Sequence, residues 1–350
     1  MHKALFTPVV ALIALTVLLC TAGCGAAGPG PGTGVSAGHA SPVRVRFGDA
    51  GAGLAPHAPA PGQRSVVSQP TRPISFGELR RVGGAGRNTP IGVTTLHGPK
   101  SGFTGKVWVW APPEYYEKRN ADKGFPVMEA LPGSYGYPVN YWTGATPGLE
   151  EHLAQWAKDG RSLPFILVMP VLNPDNRQYY DGSDIPGQPR IGTWLARDVP
   201  DLVRQNFRTL RTRDAWAVMG SSSGGFAALK TVLQHPGTFK VAIASGPDIV
   251  PDSPLWDGHD AQKRANNPEV LARRLIARGG PQVLLAFQDG SKEATVLPKV
   301  RRFIAQYGHG PVRTRLQIVP GGTHSARTYV RGLGAGTLRW VSAHMQGPTA

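Results

Sequence analysis

Gly220-Ser221-Ser222-Ser223-Gly224 is the run whose residue types and spacing point most directly to chemistry. It reads G-x-S-x-G. A serine at the centre of such a run sits in a tight turn that requires small residues two positions away on each side. The apolar stretch Ala215–Met219 precedes it, and a helix-forming stretch starts at Gly225. A strand–turn–helix context would raise the Ser222 hydroxyl above a sheet edge at a helix N-terminus. A serine hydroxyl is a weak nucleophile and needs a base to take its proton. Ser221 and Ser223 are not flanked by glycine at both positions and are not the candidates.

Where a strand–turn–helix serine is used this way, the chain order is serine, acid, histidine. Five histidines follow Ser222: His235, His259, His309, His324 and His344. His324 lies in Pro320-Gly321-Gly322-Thr323-His324-Ser325, a glycine-rich turn after the last expected strand. It is the candidate base. His235, before Pro236, reads as the end of a helix. The acid must come from a neighbouring strand end. Gln288-Asp289-Gly290-Ser291-Lys292-Glu293 follows the strand expected over Val283–Phe287. Position alone admits both Glu293 and Asp289, the other being expected as a solvated loop charge. Asp248 and Asp252, after the preceding strand, are weaker alternatives. An oxyanion hole needs two N–H donors. Ser223 supplies one by following the nucleophile, and Ser134, after Leu131-Pro132-Gly133, is the candidate for the second.

The elements that must hold these residues alternate in type. Strands are expected at Val93–Leu96, Lys106–Ala111, Phe125–Leu131, Phe165–Val171, Ala215–Met219, Val241–Ser245, Val283–Phe287 and Arg315–Val319. Helices are expected at Gly148–Lys158, Thr193–Phe207 (despite Pro200), Gly225–Leu233, Glu269–Ala277, Val296–Tyr307 and Tyr329–His344. Alternation of this kind predicts an α/β fold, a mostly parallel central sheet with helices on both faces. The catalytic domain is expected over residues 91–350.

The N-terminal quarter reads differently. Met1-His2-Lys3 and the apolar run Ala4–Leu19 have the order of a secretory signal, and the run is short for a membrane span. Thr21-Ala22-Gly23-Cys24 resembles the end of a bacterial lipoprotein signal over residues 1–23, with Cys24 as the lipidated residue. Plain cleavage after a small residue is the alternative. Residues 25–63 hold 10 Gly, 6 Pro and 9 Ala. Such a stretch has little to bury, and residues 24–90 are expected to form a flexible tether.

Composition excludes several classes. The only cysteines among 350 residues are Cys20 and Cys24, which rules out a disulfide scaffold or a cysteine-based zinc site in the body. With 45 Gly and 33 Pro, a long coiled coil is excluded. No phosphate loop, dinucleotide fingerprint or H-E-x-x-H occurs, so no metal or cofactor is implied. The formal charge of +16 fits an anionic cell-envelope surface; with an export signal, nucleic acid is not an expected partner.

Together the motifs resemble the esterase D and antigen 85-type branch of the α/β-hydrolases. Phe125-Pro126-Val127 through Leu131-Pro132-Gly133-Ser134 is similar to that family's P-V-x-x-x-L-H-G segment, with Pro132 in place of histidine. Trp194-Leu195-Ala196-Arg197-Asp198-Val199-Pro200 is similar to its T-x-L-x-x-D-V-P helix. His235-Pro236, Phe239 and Ser245-Gly246 match the stretch beyond its elbow. Gly290-Ser291-Lys292-Glu293 resembles its acid turn, which favours Glu293, and Gly322-Thr323-His324-Ser325 its base loop. The resemblance covers about residues 91–345. It implies an exported serine esterase acting through an acyl-enzyme on an ester of unknown acyl length. The alternatives are a mycolyltransferase-like acyltransferase that uses a cell-envelope sugar or other alcohol, and a catalytically silent, surface-tethered binding protein. The mycolyltransferases carry an arginine-rich stretch after the oxyanion glycine. Here that stretch is Ser134–Trp142, aromatic and without arginine.

Overall fold

A computed structural model describes residues 43–48, 65–134 and 136–350 of the chain. The expected leader, Cys24 and residues 49–64 lie outside the described residues. The described chain forms strands β1 (Arg44–Val45), β2 (Val67–Ser68), β3 (Phe76–Val82), β4 (Thr89–His97), β5 (Thr104–Trp110), β6 (Val127–Leu131), β7 (Ile166–Pro170), β8 (Thr209–Leu210), β9 (Trp216–Ser221), β10 (Val241–Ser245), β11 (Val283–Gly290) and β12 (Val312–Val319). The α-helices are α1 (Leu149–Lys158), α2 (Ile191–Thr193), α3 (Val199–Asn206), α4 (Ser223–Gln234), α5 (Asp260–Ala265), α6 (Pro268–Arg278), α7 (Leu297–Tyr307), α8 (Ala326–Gly332) and α9 (Leu338–Ser342).

Ten strands form one sheet in the order β1-β3-β4-β5-β7-β6-β9-β10-β11-β12. From β7 to β12 every pairing is parallel. From β1 to β7 every pairing is antiparallel. The sequence accounts for this division. β6, β7, β9, β10 and β11 are continuous buried runs, as strands covered on both faces must be. In β3, buried Phe76 and Val82 flank a more exposed middle, and β4 ends half exposed. Because β6, β9, β10, β11 and β12 run the same way, the segments that follow them emerge along one edge of the sheet. Ser134 follows β6, Ser222 and Ser223 follow β9, Glu293 follows β11 and His324 follows β12, while Asp289 lies at the end of β11.

Two expectations about the elements are corrected, and a third holds with a local change. The tether does not extend to residue 90. Phe47 and Phe76 are buried, and Phe47 packs on Phe207 with ring centroids 4.7 Å apart. The boundary at residue 91 falls inside β4. The helix over 193–207 does form, and Pro200 is accommodated because Trp194–Asp198 widens into a π-helix, with Val199 N–H bonding Trp194 O five residues back. Proline lacks an N–H and is tolerated at the start of a helical segment, where Pro200 stands in α3. The last helix is not continuous. α8 passes through a π segment, Leu333–Thr337, where Gly336 has φ 145°, and resumes as α9.

Candidate active site

Ser222 connects β9 to α4 with φ 53° and ψ −122°, a conformation that a side chain rarely adopts. Strain of this kind costs on the order of 1–3 kcal/mol and persists only where the surroundings enforce it. Here the Ser222 N–H is held by Ser245 O at 2.9 Å, and Phe226 N–H bonds Ser222 O at 3.0 Å to start the helix. The flanking glycines are required sterically. A Cβ on Gly220 would strike the Gly224 carbonyl, and one on Gly224 would strike Pro132 O. The turn therefore fits only because the strand end, the helix start and the loop after β6 meet without side chains.

On one side of Ser222 stands an acid–base cluster. His324 Nδ1 lies 2.6 Å from Glu293 Oε1. Tyr329 Oη donates to the same Oε1 at 2.8 Å and stands 2.8 Å from His324 Nδ1. The Gly290 N–H donates to the other oxygen of Glu293. With Nδ1 committed to the carboxylate, Nε2 is the basic nitrogen of the ring. Burial pushes the Glu293 carboxyl up, but the bonds from His324, Gly290 and Tyr329 outweigh it and hold it below the usual carboxylate range. The bond to Glu293 in turn raises His324 above the ordinary imidazole value, against the opposing effect of burial. Gly246 joins this cluster to the serine turn. It follows Ser245, which holds the Ser222 amide, and a Cβ on it would collide with Tyr329 Oη and press within 2.6 Å of Glu293 Oε1.

Of the two acids that position alone admitted, only Glu293 is paired with His324. Asp289 is not the solvated loop charge expected of the other. It lies inside β11, fully buried, with neither carboxylate oxygen hydrogen-bonded among the described residues. Burial, reinforced by the charge of Glu293, raises its pKa to about 7. Asp248 also lies near the cluster, and its carboxyl is raised by burial and by Asp252. Asp252 has no bond to His324 among the described residues. His235 ends α4 and is pushed down to about 4 by burial.

On the other side lies the loop after β6. A Cβ on Gly133 would come within 3.1 Å of Ser221 Oγ and 3.4 Å of Ser222 Cβ, so this glycine abuts the serine turn. Ser134 follows in a left-handed conformation, φ 54°, and its carbonyl accepts from Ser223 Oγ at 2.8 Å. The two candidate oxyanion donors thus belong to residues already bonded to one another. Fully buried Asn140 anchors the loop's return by donating to Ala130 O at 2.8 Å and Pro170 O at 2.9 Å. Trp142 Nε1 donates to Leu131 O at 2.9 Å and its ring is completely buried, so Trp142 belongs to the core and not to a cleft lining. Tyr137 is 42% exposed, and the hydroxyl of Tyr141 bonds Ser221 Oγ.

Sequence reasoning missed Tyr329 and Arg80. Tyr329 reads as one more apolar position of the last helix, and only the fold shows its hydroxyl on Glu293. Arg80 falls within the span expected as tether. It instead donates from β3 to Thr143 O at 2.9 Å and to buried Glu150 at 3.0 Å, bracing the far end of the loop after β6.

A parallel sheet with a strained serine after one strand, an acid after another and a histidine after the last defines the class of α/β-hydrolase folds. Residues 105–333 match the model of the family described as "Putative esterase", and the chain belongs to that family. Among curated proteins it is 25% identical over 258 residues to an uncharacterised protein of Corynebacterium glutamicum, covering 69% of this chain. The match spans 58% of that relative's length. Among solved structures the fold is shared with a ferulic acid esterase at TM-score 0.61 and 16% identity, covering 73% of this chain and 99% of that one. It is shared also with an S-formylglutathione hydrolase from Agrobacterium tumefaciens at TM-score 0.60 and 16% identity, covering 77% and 99%.

Proposed function

We propose that the protein is a serine esterase that cleaves carboxylic esters through an acyl-enzyme on Ser222. The observation that carries this reading is the joining of the strained Ser222 turn, through Gly246, to the His324–Glu293–Tyr329 cluster. An ordinary loop serine would relax to an unstrained conformation, and a silent binding protein would have no need of a buried carboxylate aligned on a half-exposed imidazole.

In this mechanism Ser222 Oγ attacks the ester carbonyl while His324 Nε2 takes its proton. Glu293 stabilises the imidazolium that forms. The N–H groups of Ser134 and Ser223 receive the oxyanion, at the positive end of the α4 dipole. Collapse of the tetrahedral intermediate breaks the bond to the alcohol oxygen, which leaves with the proton from His324. Water, deprotonated by His324, then releases the acid and regenerates Ser222. An alcohol in place of water would make the same residues an acyltransferase, and product analysis with an alcohol acceptor in competition separates the two. We also infer, from the residue pattern at 1–24, export with a lipid anchor on Cys24; the mass of the mature N-terminus tests it.

A fluorophosphonate probe is expected to label the wild-type protein stoichiometrically and to leave Ser222→Ala unlabelled. Hydrolysis of p-nitrophenyl acyl esters should fall on the order of 10⁶-fold in kcat in the same variant. Labelling that survives the substitution would sink the assignment.

A further inference from the structure

A cleft of about 440 Å³ opens between α1 and α8, outside the cluster just described. Its wall includes Trp156 and Val330, and the ring of His152 stacks on Trp156 at 5.3 Å and 19°. Gly334 makes room for that indole, because a Cβ there would come within 2.7 Å of it. Arg327 and Arg331 line the cleft one helical turn apart, and no carboxylate does. Arg331 donates to the Pro320 carbonyl at 3.2 Å, and neither guanidinium is ion-paired to a carboxylate among the described residues. Like charges four residues apart on a helix repel each other, and an anion held between them would relieve that repulsion.

The cleft's place in the fold says which part of a substrate it would meet. Two of its lining residues, Ala326 and Arg327, follow His324 by two and three positions, and Thr146 on the opposite rim follows Tyr141 by five. Two residues of chain reach at most about 7 Å. The cleft therefore lies beside the turn that carries His324, the residue from which the leaving alcohol oxygen takes its proton in the proposed mechanism.

We propose that the cleft between α1 and α8 is the subsite for the alcohol half of the ester, and that it takes an alcohol bearing a phosphate or carboxylate next to an aryl or alkyl group. The apolar part lies against His152, Trp156 and Val330, and the anion lies between Arg327 and Arg331. This rests on the esterase reading above, and it names the substrate class that reading leaves open.

The test uses three butyrate esters that differ only far from the reacting bond: those of 3-phenylpropanol, of 4-(3-hydroxypropyl)benzoate and of 4-(3-hydroxypropyl)phenyl phosphate. The wild-type protein should hydrolyse at least one anionic ester with about tenfold or higher kcat/KM than the neutral one, mainly through KM. The ratio should shrink as salt is raised from 50 to 500 mM, because exposed charges are then screened. In the Arg327→Gln/Arg331→Gln variant the ratio should fall to about one, while Arg327→Lys/Arg331→Lys keeps most of it. The carboxylate and phosphate arms show which anion is read. Equal kcat/KM for the neutral and both anionic esters in the wild type overturns the proposal, and so does a preference that survives the glutamine variant. Fluorophosphonate labelling separates the failures. A wild-type protein that is not labelled fails the esterase reading itself, whereas one that is labelled but indifferent to charge fails only the subsite. If the glutamine variant is not labelled, the wild-type ratio and its salt dependence decide alone.

Discussion

The two sides of Ser222 are built on opposite terms. In the proposed mechanism the side chains are the machinery on the acid–base side: His324, Glu293 and Tyr329 bond one another within 2.8 Å, and the backbone there only delivers them. On the proposed oxyanion side the backbone would be the machinery, and the side chains are braces. Asn140 and Trp142 tie the loop to the ends of β6 and β7, and Arg80 reaches across from β3 to hold Thr143. The difference follows from the chemistry. A proton must be carried by a titratable group, whereas developing negative charge is best met by fixed N–H dipoles that need no reorganisation. Substitutions should therefore act through chemistry on one side and through geometry on the other.

The largest effect that separates the two sides is expected from Glu293→Gln. An amide cannot stabilise the imidazolium and permits the wrong tautomer, and loss of the acid in such a triad costs about 10⁴-fold in kcat. The pH profile should move as well. As the proposed base His324 would work only when neutral, so kcat/KM should rise with pH through its pKa, and the raised value places that limb above 6.5 in the wild type. The bond from Glu293 is the first cause of the rise, so the midpoint in Glu293→Gln should shift to lower pH. A loss under tenfold, or an unmoved midpoint, would mean that another group orients His324.

A smaller effect is expected across the serine, from Gly133→Ala. Its added methyl would stand 3.1 Å from Ser221 Oγ and 3.2 Å from Ser221 O, so the loop must shift by a few tenths of an ångström. That moves the Ser134 N–H relative to the oxyanion without touching any titratable group. Removing an oxyanion donor costs about 10²–10³-fold, and a displaced donor should cost toward the lower end, in kcat more than in KM. The pH midpoint should stay where it is. A shifted midpoint in Gly133→Ala would break the division between the two sides.

What could be read from the sequence follows the same division. The serine turn was legible because the steric demand for Gly220 and Gly224 is local. The choice between Glu293 and Asp289 was legible only through the resemblance of Gly290-Ser291-Lys292-Glu293 to an acid turn; position alone could not make it, because it depends on where β11 stops. An apolar run that ends at Phe287 makes Asp289 look like a loop residue, but pairing with β12 carries the strand on to Gly290 and turns Asp289 inward. Tyr329 left no signal, since a buried tyrosine and a tyrosine bonded to a catalytic acid have the same helical spacing. The N-terminal boundary was misread because composition averages over a window. Residues 24–90 are poor in large apolar side chains, yet Phe47 and Phe76, placed singly, dock into an aromatic cluster with Phe207 and add β1 and β3 to the sheet. The α/β alternation beyond residue 91 was legible because buried parallel strands are continuous apolar runs.

Asp289 offers the finest test, since it lies four residues from Glu293 and differs from it in nearly every physical respect. Glu293 has its pKa lowered and three hydrogen-bond donors; Asp289 has its pKa raised from 3.8 to about 7 and none. Their contributions to stability run in opposite directions with pH. For Glu293 the contribution is present above the unfolded pKa and is lost as pH falls through the depressed folded value. For Asp289 the folded state retains a proton that the unfolded chain has released, so stability declines between pH 3.8 and about 7 and then levels off. Each tenfold change in proton affinity is worth about 1.4 kcal/mol, so the decline amounts to about 4 kcal/mol at most. Asp289→Asn keeps the shape and removes the titration. Its Tm relative to wild type should therefore rise by several degrees between pH 4 and pH 8, whatever fixed offset the buried amide adds. Activity should stay within about threefold at pH 6, because Asp289 makes no bond to His324. A Tm difference that is the same at both pH values would place an ionised carboxylate at Asp289 throughout, and a loss of activity approaching that of Glu293→Gln would make Asp289 a working member of the acid–base side.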